Sequence, residues 1–400
     1  MKLKNCSGRE DLYKNQDLKR GVAMKKVLVT GSNGFIGKNL IQRLKLEKDV
    51  LINTFTKEDD LLTLQEHLKE SDIIYHLAGV NRPQNIEEFT RVNVDLTEII
   101  VNTLQKLNKK TTIIFTSSTQ AELDNPYGKS KKKAEETLKE YNALTDARVC
   151  IYRLPNVFGK WCRPNYNSVV ATFCFNISRG LDITISASNK EIELVYIDDV
   201  VESFIGHLNL VGSESRKLYY AINRSFKITL GDLVRRIHEI KDIRKTLVMP
   251  DLSDNFTKFL YATYLSYLDK DNFSYAIDTH RDERGSLVEL IKSNHFGQIF
   301  VSTSQEGLMR GNYYHNSKVE KFCVIKGNAA IRFRKLNDDE VITYYVSERK
   351  MEVVDIPPGY TYSIENLAEG ELIVLLWVNE VFSLEKPDTF PLNATENGGI

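Results

Sequence analysis

Tyr127 and Lys131, in the run Tyr127-Gly128-Lys129-Ser130-Lys131, have the residue types and spacing for acid–base chemistry. Four residues apart on a helix, they share one face. A lysine's positive charge favours the tyrosinate and lowers the phenol's pKa. The hydroxyl can then exchange a proton with a carbonyl or carbinol oxygen near neutral pH. Just upstream, Thr116-Ser117-Ser118-Thr119 closes an apolar run and offers hydroxyls to hold that oxygen. Ser118 is the first candidate and Ser117 the runner-up. The Tyr/Lys spacing alone recurs by chance, and Asn125-Pro126 before it also suits an ordinary helix start.

A second constellation lies near the beginning. Residues 26–30 (KVLVT) form a short apolar run, Gly31-Ser32-Asn33-Gly34-Phe35-Ile36-Gly37 a glycine-rich turn, and Leu40, Ile41 and Leu44 recur at helical spacing. Glycines in a strand–turn–helix allow close approach of the backbone to a pyrophosphate, and the N–H groups at the helix start bind its charge. Gly31, Asn33, Gly34, Phe35, Ile36 and Gly37 are the candidate cofactor contacts. The second strand, residues 50–55, should end beside the adenosine ribose, where an acid would favour NAD. It runs instead into Thr56 and Lys57, with no acid before Glu58. Lys57 or the threonines suit a 2′-phosphate, which favours NADPH, although Lys57 also reads as a solvated loop lysine. Ile74-Tyr75-His76-Leu77-Ala78-Gly79 is expected to end the fourth strand over the cofactor, with Leu77, Ala78 and Gly79 against it and His76 packed inside.

The elements that must carry these residues alternate between strand and helix through residue 270, which argues for βαβ units and a doubly wound parallel sheet. From residue 286 the chain turns into short alternating strands with Gly/Pro/Asn turns, an all-β sandwich or barrel. The expected division is a disordered tail over 1–23 (or a true start at Met24), a nucleotide-binding α/β unit over 24–270 and an all-β unit over 271–395. The 400 residues carry 54 Lys+Arg and 54 Asp+Glu, a zero net charge that speaks against general nucleic-acid or polybasic membrane binding. No apolar stretch approaches the roughly 20 residues of a membrane span. Five scattered cysteines without a C-x-x-C pair argue against a disulfide framework and suit a reducing cytoplasm.

The glycine spacing, the Ser/Tyr/Lys set, Asn93 in Val92-Asn93-Val94, Arg153-Leu154-Pro155-Asn156-Val157-Phe158-Gly159 and Tyr196-Ile197-Asp198-Asp199-Val200 together resemble the extended short-chain dehydrogenase/reductases. More specifically, residues 76–83 (HLAGVNRP), 124–130 (DNPYGKS) and 158–173 (FGKWCRPNYNSVVATF) resemble the CapF-like family, in which a reductase domain precedes a cupin. The similarity runs from about residue 24 to 390. It implies NADPH-dependent reduction of the C4 ketone of a UDP-4-keto-6-deoxy-N-acetylhexosamine, for capsule or O-antigen polysaccharide, by a homodimer. It also implies that Asn156, Asn81, Arg82, Arg163, Asn165 and Asn167 contact the sugar nucleotide. Related 4,6-dehydratases carry Asp-Glu after the catalytic hydroxyl, where this chain has Thr119-Gln120.

The same resemblance makes the all-β part a jelly-roll cupin that epimerises C3. Asp282-Glu283-Arg284-Gly285-Ser286, residues 307–312 (GLMRGN) and Pro357-Pro358-Gly359-Tyr360-Thr361-Tyr362 match its segments. Of its four metal-ligand positions, only His315 and Glu320 survive, because Tyr313 and Tyr362 replace histidines. Two ligands are a poor zinc site. The histidine aligned with the epimerase base is Tyr313, too weakly acidic to serve as a base at neutral pH. His315, two residues on, projects to the same face of a strand and is the remaining candidate base. Otherwise His315 and Glu320 form a hydrogen-bonded pair and the cupin is a binding or dimerisation module.

Overall fold

A computed structural model of the chain describes residues 24–185, 187–208, 217–277, 280–282, 285–287, 291, 297–380, 385 and 387–395. Residues 1–23, Glu283 and Arg284 lie outside this set.

The first half alternates β1 (Lys25–Thr30), α1 (Phe35–Leu44), β2 (Val50–Phe55), α2 (Leu61–Glu70), β3 (Ile73–His76), α3 (Leu96–Lys106), β4 (Thr112–Ser118), α4 (Pro126–Thr145) and β5 (Val149–Leu154). Next come β6 (Asn156–Phe158), α5 (Val169–Ser178), β7 (Glu191–Tyr196), α6 (Ile197–Ile205), β8 (Tyr219–Tyr220), β9 (Phe226–Thr229), α7 (Leu230–Thr246) and α8 (Asn255–Leu265). Six strands form a parallel sheet in the order β2-β1-β3-β4-β5-β8. Its strands read as apolar runs because both faces are covered. Val27 and Val29 face one core, and Leu28 between them faces the other. A smaller sheet, β6-β7-β9, builds the lobe beside it.

Two details differ from the sequence expectation. The strand ending at His76 is the third, not the fourth. Residues 56–60 turn directly into α2, capped by Asp60, so among the described residues only β2 lies beyond β1. The apolar period over residues 94–107 predicts a helix there, and the structure starts it earlier, as a π-helical stretch (Phe89–Asp95) leading into α3. Such stretches recur at functional sites. Here Asn93 uses it to reach the Val80 backbone, accepting from its N–H at 2.9 Å and donating to its carbonyl at 3.0 Å.

The second half contains β10 (Ser274–Ala276), β11 (His280–Asp282), β12 (Gly285–Leu287), β13 (Gln298–Ser304), β14 (Met309–Tyr314), β15 (Glu320–Lys326), β16 (Asn328–Lys335), β17 (Val341–Ser347), β18 (Glu352–Ile356), β19 (Tyr360–Asn366), β20 (Leu372–Val378) and β21 (Phe390–Pro391). Two five-stranded antiparallel sheets, β10-β18-β15-β20-β13 and β17-β16-β19-β14-β21, enclose its core.

The halves are joined by buried contacts. One continuous apolar cluster runs from Val27 through the helices α5–α8 to Trp377. Arg244 of α7 and Lys321 of β15 each reach the fully buried Asp355 carboxylate at 2.6 Å. Lys160, 3% exposed, bonds Asp198 at 3.0 Å and the Asn316 carbonyl at 3.1 Å, and the Trp161 indole lies against Gly359.

Candidate active site

The glycine turn leaves β1 with Gly31 at φ +67°, where a Cβ would stand 2.7 Å from the Ala78 backbone. Only glycine suits that position. Gly34 precedes α1 without a side-chain cap, so the N–H groups of the first turn are left for a ligand. This cradle fits a dinucleotide pyrophosphate. Phe35 and Ile36 are half-buried, and Asn33 is exposed. At the end of β2, Thr56 donates both its N–H and its hydroxyl to Asp59, which removes it as a phosphate ligand. Lys57 remains, with its side chain 91% exposed and Glu58 3.8 Å away.

The α4 helix places the acid–base pair. Asn125 accepts from the Gly128 N–H at 2.8 Å, and Pro126 occupies the first turn, where its missing N–H costs nothing. Burial pushes the Tyr127 phenol above its ordinary pKa, against the lowering expected from the lysine alone, and the neighbouring Ser118 hydroxyl opposes the rise. Phe89 from the π-helical stretch packs on the Tyr127 ring at 5.9 Å. The Lys131 ammonium is 4% exposed, donates to the Thr116 carbonyl at 2.9 Å and lies 4.8 Å from the centre of the Phe115 ring. Burial pulls its pKa down to about 8, and the Glu135 carboxylate opposes that fall. A Cβ on Gly79 would stand 2.9 Å from this ammonium, so the cofactor-side loop and Lys131 meet there. Asn93 also donates to Ser130 at 2.9 Å, tying that loop to α4.

Between the two candidate serines the geometry separates roles. The Ser117 hydroxyl donates to Glu135 at 2.5 Å and points inward, whereas Ser118 meets Tyr127. His76 is fully buried between the hydroxyls of Thr30 and Thr97, at 2.8 and 2.9 Å. Burial holds its pKa down at about 3, so it is a neutral packing residue.

The candidate sugar-nucleotide residues form a looser group. Asn81 is half-buried just past Gly79, and Arg82 is exposed. Tyr166 donates to the Arg82 carbonyl at 3.4 Å, and the Arg163 guanidinium lies 5.1 Å from the Tyr166 ring centre. Arg82, Arg163 and the exposed Asn165 and Asn167 therefore share one rim. Asn156 lies apart from that group, donating to the Glu193 carbonyl at 3.1 Å. In the same motif, Lys160 and Trp161 turn toward the antiparallel half instead. Sequence reasoning missed Glu135, although its Tyr-x3-Lys-x3-Glu spacing puts it on the same helix face.

In the antiparallel half, His315 is 2% exposed. Its Nδ1–H donates to the Asp388 carbonyl at 2.6 Å, and its Nε2 faces Glu320 at 3.5 Å. Tyr362 donates to the other Glu320 oxygen at 2.6 Å, and Tyr313 stands opposite Tyr362 in the ladder. Burial disfavours the imidazolium, but Glu320 and Asp388 outweigh it and hold the His315 pKa above its ordinary value. Glu320 is correspondingly held low against its own burial. Two donors and two phenols do not fit zinc, which takes four protein ligands in structural sites and three in catalytic ones. Among the described residues no group of three or more His, Cys, Asp or Glu is placed to hold a metal.

A parallel sheet presenting a Ser/Tyr/Lys cluster beside a pyrophosphate cradle defines a nicotinamide-dependent oxidoreductase. Residues 27–216 match the NAD dependent epimerase/dehydratase family, and residues 280–390 match the polysaccharide biosynthesis C-terminal domain. The chain is 42% identical to UDP-2-acetamido-2,6-beta-L-arabino-hexul-4-ose reductase of Pseudomonas aeruginosa, over 93% of this chain and 99% of that protein. A crystal structure of the capsular polysaccharide assembling protein CapF from Staphylococcus aureus is 43% identical, with a TM-score of 0.63, over 92% of this chain and 99% of that one. The chain belongs to the same family as these two proteins.

Proposed function

We infer that the chain reduces the C4 ketone of a UDP-4-keto-6-deoxy-N-acetylhexosamine, using NADPH, toward UDP-N-acetyl-L-fucosamine-type precursors of capsule or O-antigen. The observation that carries this reading is the joining of Ser118, Tyr127 and Lys131 at one end of β4, in a chain 42% identical to a reductase of that substrate class. A bound nicotinamide supplies the hydride at this site. Ser118 holds the ketone oxygen, and Tyr127 gives it the proton that completes the alcohol. Lys131 supports the phenol with its charge and, beside Gly79, would hold the cofactor's ribose when it is bound. Lys57 is the cation available to a 2′-phosphate, which supports NADPH over NADH. Arg82, Arg163, Asn165 and Asn167 form the rim for the sugar nucleotide.

The antiparallel half serves this reading as a binding and dimerisation module. Both ring nitrogens of His315 face protein acceptors and its ring is closed off from solvent, so it is poorly placed to remove a proton from C3. The protein in this reading is a cytoplasmic homodimer, and no helix among the described residues is long and apolar enough to cross a membrane.

The test is to incubate the full chain in heavy water with NADPH and UDP-2-acetamido-2,6-dideoxy-β-L-arabino-hexul-4-ose, and to record the product's proton NMR spectrum. Reduced product with protium kept at C3 is expected. Deuterium at C3 beyond an enzyme-free control would restore epimerisation to His315. No reduced product would overturn the substrate assignment.

A further inference from the structure

Three consecutive residues at the end of β4 dock onto one ridge of α4. Ser118 meets Tyr127, Thr116 accepts from Lys131, and Ser117 donates to Glu135. The helix residues are spaced by four, so the ridge is a single stripe of side chains. Its third member, Glu135, has no exposed surface. A buried carboxylate is tolerated only when its oxygens are satisfied, and here four donors converge on it. They are Ser117 Oγ at 2.5 Å, Arg153 Nε at 2.9 Å, Arg153 Nη2 at 2.7 Å and the Tyr219 hydroxyl at 2.9 Å. Such a cluster is more than the packing of one strand on one helix requires.

We propose that Glu135 is a positioning residue for the reduction, its buried charge keeping Lys131 an ammonium ion and its bond to Ser117 leaving Ser118 as the hydroxyl that faces substrate. This deepens the reductase reading and rests on it. The surroundings of Lys131 leave Glu135 as the counter-charge. On α4 its ionisable neighbours are Tyr127, which is neutral, and Glu135. From β3 comes His76, held neutral by burial. β4 offers the Thr116 carbonyl and the Phe115 ring, and the π-helical stretch offers the uncharged Asn93. The positive Arg153 stands behind Glu135, paired also with Glu122 at 2.5 Å, and Lys139 lies 5.1 Å from the Tyr219 ring centre. Removing the Glu135 charge therefore leaves Lys131 buried, with the nearby Arg153 balanced by Glu122 alone. Both effects favour the neutral amine. The ammonium is lost as pH rises through the Lys131 pKa of about 8, so losing Glu135 moves that midpoint to lower pH.

The test uses the full chain and two readouts against pH, kcat/KM for reduction and NADPH affinity by fluorescence titration. In Glu135→Gln the alkaline midpoint of both is expected to fall by about one unit. Ser117→Ala removes the bond but keeps the charge, so its midpoint is expected to stay while kcat falls. Arg153→Gln removes the opposing cation, so its midpoint is expected to rise. An unchanged midpoint in folded Glu135→Gln would overturn the proposal. If that variant does not fold, an Arg153→Gln midpoint that fails to rise would overturn it instead. Activity absent already in the unmodified chain would indict the substrate assignment, and the NADPH titration would still decide the role of Glu135.

Discussion

At the scale of single residues, the site depends on a few close approaches. One of them is between Gly79 and the Lys131 ammonium, where a methyl group would stand 2.9 Å from Nζ and 3.1 Å from the Asn93 side-chain oxygen. Both atoms are the ends of side chains, so the fold can yield, but only by displacing the ammonium. Gly79→Ala is therefore expected to melt within about 2 °C of the unmodified chain. It should still lose about 100-fold in kcat/KM, the order of loss for a misplacement near 1 Å. Unchanged kinetics would show that Lys131 does not need its present position. Residue types and spacing made Tyr127, Lys131 and the glycine turn legible in the sequence, because a four-residue interval means one helix face whatever the tertiary structure. The sequence ranked Ser118 above Ser117, but the feature that separates them was not legible. It depends on a carboxylate 18 residues away that turns one hydroxyl inward.

At the scale of elements, strands and helices were legible wherever a hydrophobic pattern was sustained, as in β1, α1 and β2. The π-helical stretch before α3 was not. A side chain that reaches across to another loop's backbone, as Asn93 does to Val80, overrides the local period. The motif over residues 158–173 was only half legible. Its exposed residues line the rim by Tyr166, while Lys160 and Trp161 act in a contact that no local pattern reveals. Edge strands carry a further consequence. β13 is an edge of its sheet among the described residues, and Ile299 and Val301 on it are 50% and 58% exposed. An open, apolar edge is a template for pairing with a second chain. In sedimentation velocity the full chain is expected to run as a dimer and Val301→Glu as a monomer. A monomeric unmodified chain, or a variant that remains dimeric, would remove β13 from the interface.

At the scale of the whole molecule, the two halves are locked together rather than loosely tethered. Asp355 is buried between Arg244 and Lys321, and removing one partner from such a cluster costs about 3–5 kcal/mol because the other charges stay buried. Lys160 ties Asp198 of the reductase half to the Asn316 carbonyl, and the Asp388 carboxylate accepts from the Asn316, Ser317 and Lys318 N–H groups beside it. The loop carrying His315 is thus held from both sides. The order of the halves was legible as a change from helix–strand alternation to short strands. This seam was not, because its partners are far apart in sequence and individually unremarkable.

The most direct measurement of the reductase claim follows one hydrogen. NADPH carrying deuterium at the transferable C4 position of the nicotinamide would be incubated with the full chain and the UDP-4-keto sugar, and the product read by NMR. Deuterium is expected at C4 of the sugar, with Tyr127→Phe slower by at least about 100-fold, the contribution of a positioned proton donor. A sugar without deuterium at C4, or a Tyr127→Phe variant as fast as the unmodified chain, would contradict a reduction carried out by Ser118, Tyr127 and Lys131.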